Sequence, residues 1–297
     1  MAVRIAHATD IHWTLRPPFR RLASKRLLQQ ANQIIGRRAT HFTRDVQDSL
    51  MDHLLDLAPD GLFITGDLTT TALEEEFELA RERLEPVLST IPTLIIPGNH
   101  DVYTRRSRSN RRMFQTFGPW MGLDSDAAPV ARLDVGDVTL LGLDPTRPHP
   151  VLSSGRVPQP QLDALVRQLD GMPERAVVLG LHYPILDRRG ELYDGLNHGL
   201  LNAGAVQKSL TSASHLPVAI LHGHEHHGFT VDLDCGGRTV PIYNSGSSGY
   251  ANLPIKRRAA AMCVYTIEDG ALVDVERYLH TAEGFKPEPG GAYATGR

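Results

Sequence analysis

The chain predicts an α/β fold with layered sheets, and three observations carry that expectation. Short apolar runs of strand length recur along the sequence, amphipathic helical patterns separate most of them, and small clusters of Asp, Asn and His follow the runs.

The runs lie at residues 3–8, 62–65, 93–96, 138–143, 176–181 and 218–221, as expected for strands buried on both faces. Residues 43–57 place Val46, Leu50, Leu54 and Leu57 at helical spacing, and residues 71–88 are rich in Glu, Leu, Ala and Arg. Residues 158–169 set Leu162, Leu165, Val166 and Leu169 on one helical face, after a Pro-rich loop at 145–160. Runs at 239–243, 259–267 and 272–278 follow one another through Gly- and Asp-containing turns with no helix between them, which predicts a second, mostly antiparallel sheet. Residues 1–282 are expected to form one domain with a basic insert at about 13–44, and residues 283–297, dense in Gly and Pro, a flexible tail.

With 297 residues, 41% hydrophobic and 22% charged, the chain has the balance of an ordinary globular protein able to bury a sizeable core. A net charge of -3 argues against wholesale nucleic-acid binding, and no dedicated nucleic-acid module is recognisable. Cys235 and Cys263 are too few for a disulfide framework and lie in no C-x-x-C pattern. The longest apolar run is about half a membrane span, and the N-terminus turns polar before a secretory apolar region could form. A reducing, cytoplasmic setting is the expectation.

Five polar clusters carry the chemistry: Asp10-Ile11-His12 after the first run, Gly66-Asp67 after the second, Gly98-Asn99-His100-Asp101 after the third, His182 after the fifth, and the His-rich stretch from His222 to His227 after the sixth. Strand C-termini face the ligand crevice in open α/β sheets, so these segments are expected to converge. Asp, Asn and His offer oxygen and imidazole nitrogen without thiolate, a set that suits Mn, Fe or Zn, and also Co or Ni, better than Ca or Mg. In an extended segment residues i and i+2 point the same way, so Asp10 and His12 can hold one ion together. The pairs His222/His224 and His224/His226 share that spacing. Any one cluster alone reads as a turn, a cap or a core histidine; their joint order is what points to metal.

Asp10-x-His12, Gly66-Asp67, Gly98-Asn99-His100-Asp101, His182 and Gly223-His224-x-His226 together resemble the successive motifs of the calcineurin-like metallophosphoesterase superfamily. The chain's length, without appended nuclease or regulatory segments, favours its small bacterial-type phosphodiesterases and phosphohydrolases. The resemblance implies a four-layer α-β-β-α sandwich, with two mixed β-sheets packed face to face and a dinuclear metal site at the C-terminal strand ends. It makes Asp10, His12 and His226 ligands of one divalent ion and Asn99, His182 and His224 ligands of the other, with Asp67 bridging. His100 corresponds to the family's non-ligand histidine at the scissile phosphate or leaving group, and Asp101 to the residue orienting it. The register rests on Gly223-His224-x-His226, which leaves His222 and His227 behind the ligands or facing solvent.

Two cations about 3.5–4 Å apart polarise a phosphoryl oxygen and acidify a shared water, so in-line attack by a metal-bridging hydroxide is expected, with His100 protonating the departing oxygen. The expected activity is that of a phosphodiesterase on a small-molecule or nucleotide substrate; the alternatives are a UDP-sugar-lipid pyrophosphate hydrolase and a non-catalytic metal-binding scaffold. Two basic segments bear on the choice. Residues 16–44 hold eight Arg or Lys and no acidic residue. They read as a cap that gathers substrate or contacts an anionic membrane or lipid peripherally, or as a helical hairpin on the protein's own surface. In the arginine string at 104–112, Arg105 and Arg106 lie nearest His100 and are the candidate substrate-binding residues.

Overall fold

A computed structural model of the chain describes residues 1–15, 41–103, 105–123, 129–148, 153–253 and 258–295, with only the backbone of Arg105 and Arg106. The expected runs become the parallel strands β1 (Val3–Ala8), β2 (Gly61–Ile64) and β3 (Thr93–Ile95) of one six-stranded sheet. In the other sheet β4 (Ala131–Val135) precedes β5 (Val138–Leu143), β6 (Ala176–Leu181) and β7 (Ala219–His222), the last three mutually parallel.

The C-terminal strands do not make a sheet of their own. β8 (Gly228–Asp234) and β9 (Thr239–Ser245) extend the second sheet beyond β7, whereas β10 (Ala261–Glu268) and β11 (Ala271–Thr281) join the first. β10 lies antiparallel on the free edge of β1, from Val3↔Ile267 to His7↔Cys263. Alternating apolar residues identify a strand; which edge it satisfies depends on where unpaired N–H and C=O groups remain. Both sheets are therefore mixed. The expected loose tail is likewise held: β12 (Gly284–Pro287) pairs with β11, and the Glu288 carboxylate meets Arg277 at 3.0 Å and accepts the N–H groups of Tyr293 and Thr295.

Alternation decides the layers. Ile5, Phe63, Leu94 and Tyr265 of the first sheet meet Val138, Leu140, Val178 and Leu221 of the second in a dry interface. Their sequence neighbours face outward: Ala6, Leu62 and Ile64 pack against Leu50 and Leu54 of α1 (Arg44–Leu57) and Phe77 and Leu84 of α2 (Glu74–Leu88). Two short helices, α3 (Arg105–Ser109) and α4 (Arg112–Phe117), follow β3. On the far side Leu179 and Ile220 pack against Leu165 and Leu169 of α5 (Gln159–Asp170) and Val206 and Leu210 of α6 (Ala203–Ser212). Each such Val, Leu, Ile or Phe side chain stabilises the fold by roughly 1.5–3 kcal/mol on burial. The result is the four-layer α-β-β-α sandwich. Residues 16–40, most of the basic insert, lie outside the described residues, and no helix among the described residues is long and apolar enough to cross a membrane.

Candidate metal centre

The C-terminal ends of β1, β2 and β3 in one sheet and of β6 and β7 in the other open onto the same edge, and each delivers a polar segment there. The segments after β1 and β2 are zipped by main-chain bonds: the N–H groups of Asp10, His12 and Trp13 donate to the carbonyls of Gly66, Asp67 and Leu68 at 3.0, 3.0 and 2.8 Å. Asp10, His12, Asp67, His224 and His226 all have positive φ, between 53° and 72°. Left-handed backbone is uncommon outside glycine and least costly for Asp, Asn and His. It overturns one expectation. The side chains of Asp10 and His12 converge through two left-handed kinks, not through extended alternation.

Asp10, His12, Asp67 and His226 each bring one ligand atom to a common point, all within 4.8 Å of one another. His226 Nε2 lies 3.1 Å from Asp10 Oδ1 and 3.3 Å from His12 Nε2, and Asp67 Oδ2 is 3.7 Å from His12 Nε2. Asp67 Oδ2 also faces His182 Nε2 at 3.3 Å, and that nitrogen is 3.1 Å from Asn99 Oδ1. Asp67 thus touches both groups. The His182 Nδ1–H donates across the sheet interface to the Thr65 carbonyl at 2.8 Å, and His12 Nδ1 meets the Thr69 carbonyl at 3.2 Å. A ring whose Nδ1 donates to a carbonyl keeps its Nε2 lone pair for a metal.

The charges fit a cation. Burial drives His12 down to about 3 and His224 well below the usual histidine range, so both rings are neutral bases. Burial would raise Asp67, yet the neighbouring His182, His100 and His12 hold it well below the carboxylate range. Burial likewise lowers His182, but Asp67 lifts it to about 9, so binding an ion there displaces a proton. His224 Nε2 is buried without a hydrogen-bond partner. An unpartnered imidazole nitrogen 5.2 Å, ring to ring, from His182 fits a second metal ligand beside it. His222 lies behind the cluster, accepting the Ile185 N–H at 3.4 Å, and His227 faces Arg258.

A model of the calcineurin-like phosphoesterase family matches residues 3–228. The chain belongs to that family. A probable glycerophosphodiester phosphodiesterase of Arcobacter nitrofigilis is 29% identical over 126 residues, which span 42% of this chain and 42% of that protein. Among solved structures, PhoD superposes with a TM-score of 0.61 at 10% identity, covering 98% of this chain and 73% of that one. A purple acid phosphatase from yellow lupin (Lupinus luteus) seeds does so at 0.58 and 12%, covering 97% and 53%. These two likenesses are of fold.

Around the phosphoesterase centre, the His100 ring stands edge-on to His12 at 4.9 Å between centroids, and its Nδ1–H donates to the Thr70 carbonyl at 2.7 Å. Thr70, not Asp101, supplies that orienting contact. Both Asp101 oxygens are taken up by the loops: Oδ2 accepts the N–H groups of Gly98, Asp67 and Leu68, and Oδ1 the N–H and hydroxyl of Thr69. Burial, then the nearby Asp67 charge, push Asp101 up to about 7 against those donors. Asp101 braces the Asp67 loop. Of the arginine string, Arg108 donates to the Thr146 carbonyl, Arg111 covers the Phe114 ring at 4.2 Å and Arg112 donates to the Ala72 carbonyl at 2.8 Å, while the side chains of Arg105 and Arg106 lie outside the described residues.

Sequence reasoning passed over a sixth segment, residues 244–250, at the C-terminal end of β9. Asn244 donates to the Gly223 carbonyl at 2.6 Å, the Ser247 hydroxyl to the Asp10 carbonyl at 2.6 Å, and the Ser248 N–H to the Thr9 carbonyl at 2.7 Å. At Gly249 a Cβ would sit 2.0 Å from the Ile11 carbonyl oxygen, so only glycine fits beneath the Asp10 turn. The available signal was positional, since Asn-Ser-Gly-Ser-Ser-Gly follows an apolar run as the ligand clusters do. Phe42 and Tyr250 add an aromatic wall, with Phe42 4.5 Å from the His12 ring and 5.6 Å from Tyr250.

Proposed function

We propose that this phosphoesterase is a phosphodiesterase acting on a small-molecule or nucleotide substrate, with Asp10, His12, Asp67 and His226 holding one divalent cation and Asp67, Asn99, His182 and His224 a second. The convergence of the Asp67 carboxylate on imidazole nitrogens from both sheets, at 3.3 and 3.7 Å, carries the two-ion reading. The diester preference draws on the Arcobacter nitrofigilis relative, a probable glycerophosphodiester phosphodiesterase. When bound, such ions neutralise phosphoryl charge and supply Lewis acidity and an acidified water.

The chain's own residues do the rest. Asp67 ties the loops together, its Oδ1 accepting the His100 N–H at 2.8 Å while Oδ2 faces the ligand histidines. Thr70 engages Nδ1 of His100, so a proton for the departing oxygen has to sit on Nε2 of that ring. His100→Ala is expected to leave metal content intact and to lower turnover by about 10²–10⁴-fold, most for poor leaving groups. Rates for a series of aryl phosphodiesters check this, and a loss independent of leaving group would remove the proton-donor role.

The proposal itself is tested with protein loaded with Mn, Co or Zn and assayed on bis(p-nitrophenyl) phosphate and p-nitrophenyl phosphate. Faster hydrolysis of the diester, abolished by a chelator and restored by added metal, is the expected result. Preference for the monoester would reverse the ester assignment, and no turnover of either by the loaded protein would favour a metal-binding scaffold.

A further inference from the structure

Beside the metal centre the structure opens a cleft of ≈ 950 Å³ that begins at His226 and runs away from the ligands past His227, Arg188, Arg189, Asn252 and Arg258. Its lining includes four arginines and no carboxylate. Arg277 is neutralised by Glu288 at 3.0 Å. The other three make no ion pair with any described carboxylate, an imbalance in a chain whose net charge is -3.

Two contacts place the Arg258 guanidinium. It lies over the Tyr250 ring at 5.6 Å and meets Nε2 of His227, and Tyr250 is 6.2 Å, ring to ring, from His226. A stacked guanidinium keeps its remaining N–H donors directed and loses little side-chain freedom when it binds an anion. Arg188 and Arg189 line the same cleft, carried by the turn in which the Asp187 side chain accepts the Arg189 N–H at 2.8 Å. The cation site takes the scissile phosphate, so an anion held by these arginines belongs to another part of the same substrate.

The geometry points to a second anion subsite, formed by Arg258, Arg188 and Arg189 beyond His226, for a further phosphate group of the substrate. The inference rests on the diesterase reading above and narrows it to phosphoesters that carry another phosphate.

Thymidine 5′-(p-nitrophenyl phosphate) and its 3′-phosphorylated counterpart differ only in that group. The metal-loaded wild-type protein is expected to show kcat/KM about tenfold or more higher for the 3′-phosphorylated ester, the effect of one charge-assisted contact. Arg258→Ala should bring the ratio of the two toward one. Arg188→Ala, on an exposed side chain that does not touch Tyr250, should lower it without disturbing the His226 wall. Calorimetric titration with thymidine 3′,5′-bisphosphate and thymidine 5′-monophosphate reads the same preference without turnover, which separates this subsite from the catalytic reading. Equal binding of the two nucleotides by wild-type protein, or a preference that survives both substitutions, would overturn it.

Discussion

Asp67→Ala is expected to abolish most activity, a loss on the order of 10³-fold or more, and to remove bound metal with it, because a cation's charge stabilisation alone is worth several kcal/mol. The size follows from position. Asp67 is 1% exposed, has one oxygen on the His100 N–H and the other between His12 and His182, and so touches a ligand of each group. Without it His182 loses the charge that lifts its pKa, and the two ligand groups lose their common member. Elemental analysis after gel filtration, with turnover on bis(p-nitrophenyl) phosphate, checks the expectation. Asp67→Asn keeps the shape and removes the charge, so it should retain the fold and still lose metal. Near-normal metal content and turnover in the alanine variant would show that Asp67 does not bridge.

Gly98→Ala should damage the same centre from outside the ligand set. A Cβ at residue 98 would lie 2.1 Å from Asp67 Oδ1 and 2.4 Å from the Asp67 nitrogen, and neither is the free end of a flexible side chain. The Asp67 loop must move, and it is braced by Asp101 through Gly98, Asp67, Leu68 and Thr69. Overpacking of this kind costs about 1–3 kcal/mol of stability. A 1 Å displacement of a catalytic group costs about 10²-fold in rate. Thermal unfolding and kcat on the same preparation measure both. Wild-type turnover in Gly98→Ala would mean that the loop yields without shifting Asp67.

The legible part of this protein was what elementary patterning encodes. Apolar runs located the parallel strands of both sheets, and Asp, Asn and His placed just beyond them marked the edge where His12, Asp67 and His182 now meet. Partnering was not legible. The run at 259–267 looks the same whether it joins a new sheet or pairs with β1, because the deciding term is an unsatisfied edge elsewhere in the chain. The α6 helix escaped notice because Ala203–Ser212 holds few large apolar residues, its buried positions being Ala203, Val206 and Leu210. Asp101 is a different case: its carboxylate accepts main-chain N–H groups of the Gly98 and Asp67 loops, which no residue letter displays. The left-handed turns at the ligands were equally invisible, since Asp and His are merely the residues that tolerate such backbone best.

The seating of β1 between β2 and β10 also sets an order of events in time. Asp10 and His12 are made well before the residues that enclose them: the strand that leads to them acquires its second neighbour only when residues 261–268 exist. The Thr9 N–H finds the Ser248 hydroxyl 239 positions later in the chain. Loop closure over such spans is slow, and partly made chains expose open strand edges while they wait. These ligands are thus made before the residues that lock them, so the nascent chain holds Asp10 and His12 without a finished site around them until residues 244–268 have been made.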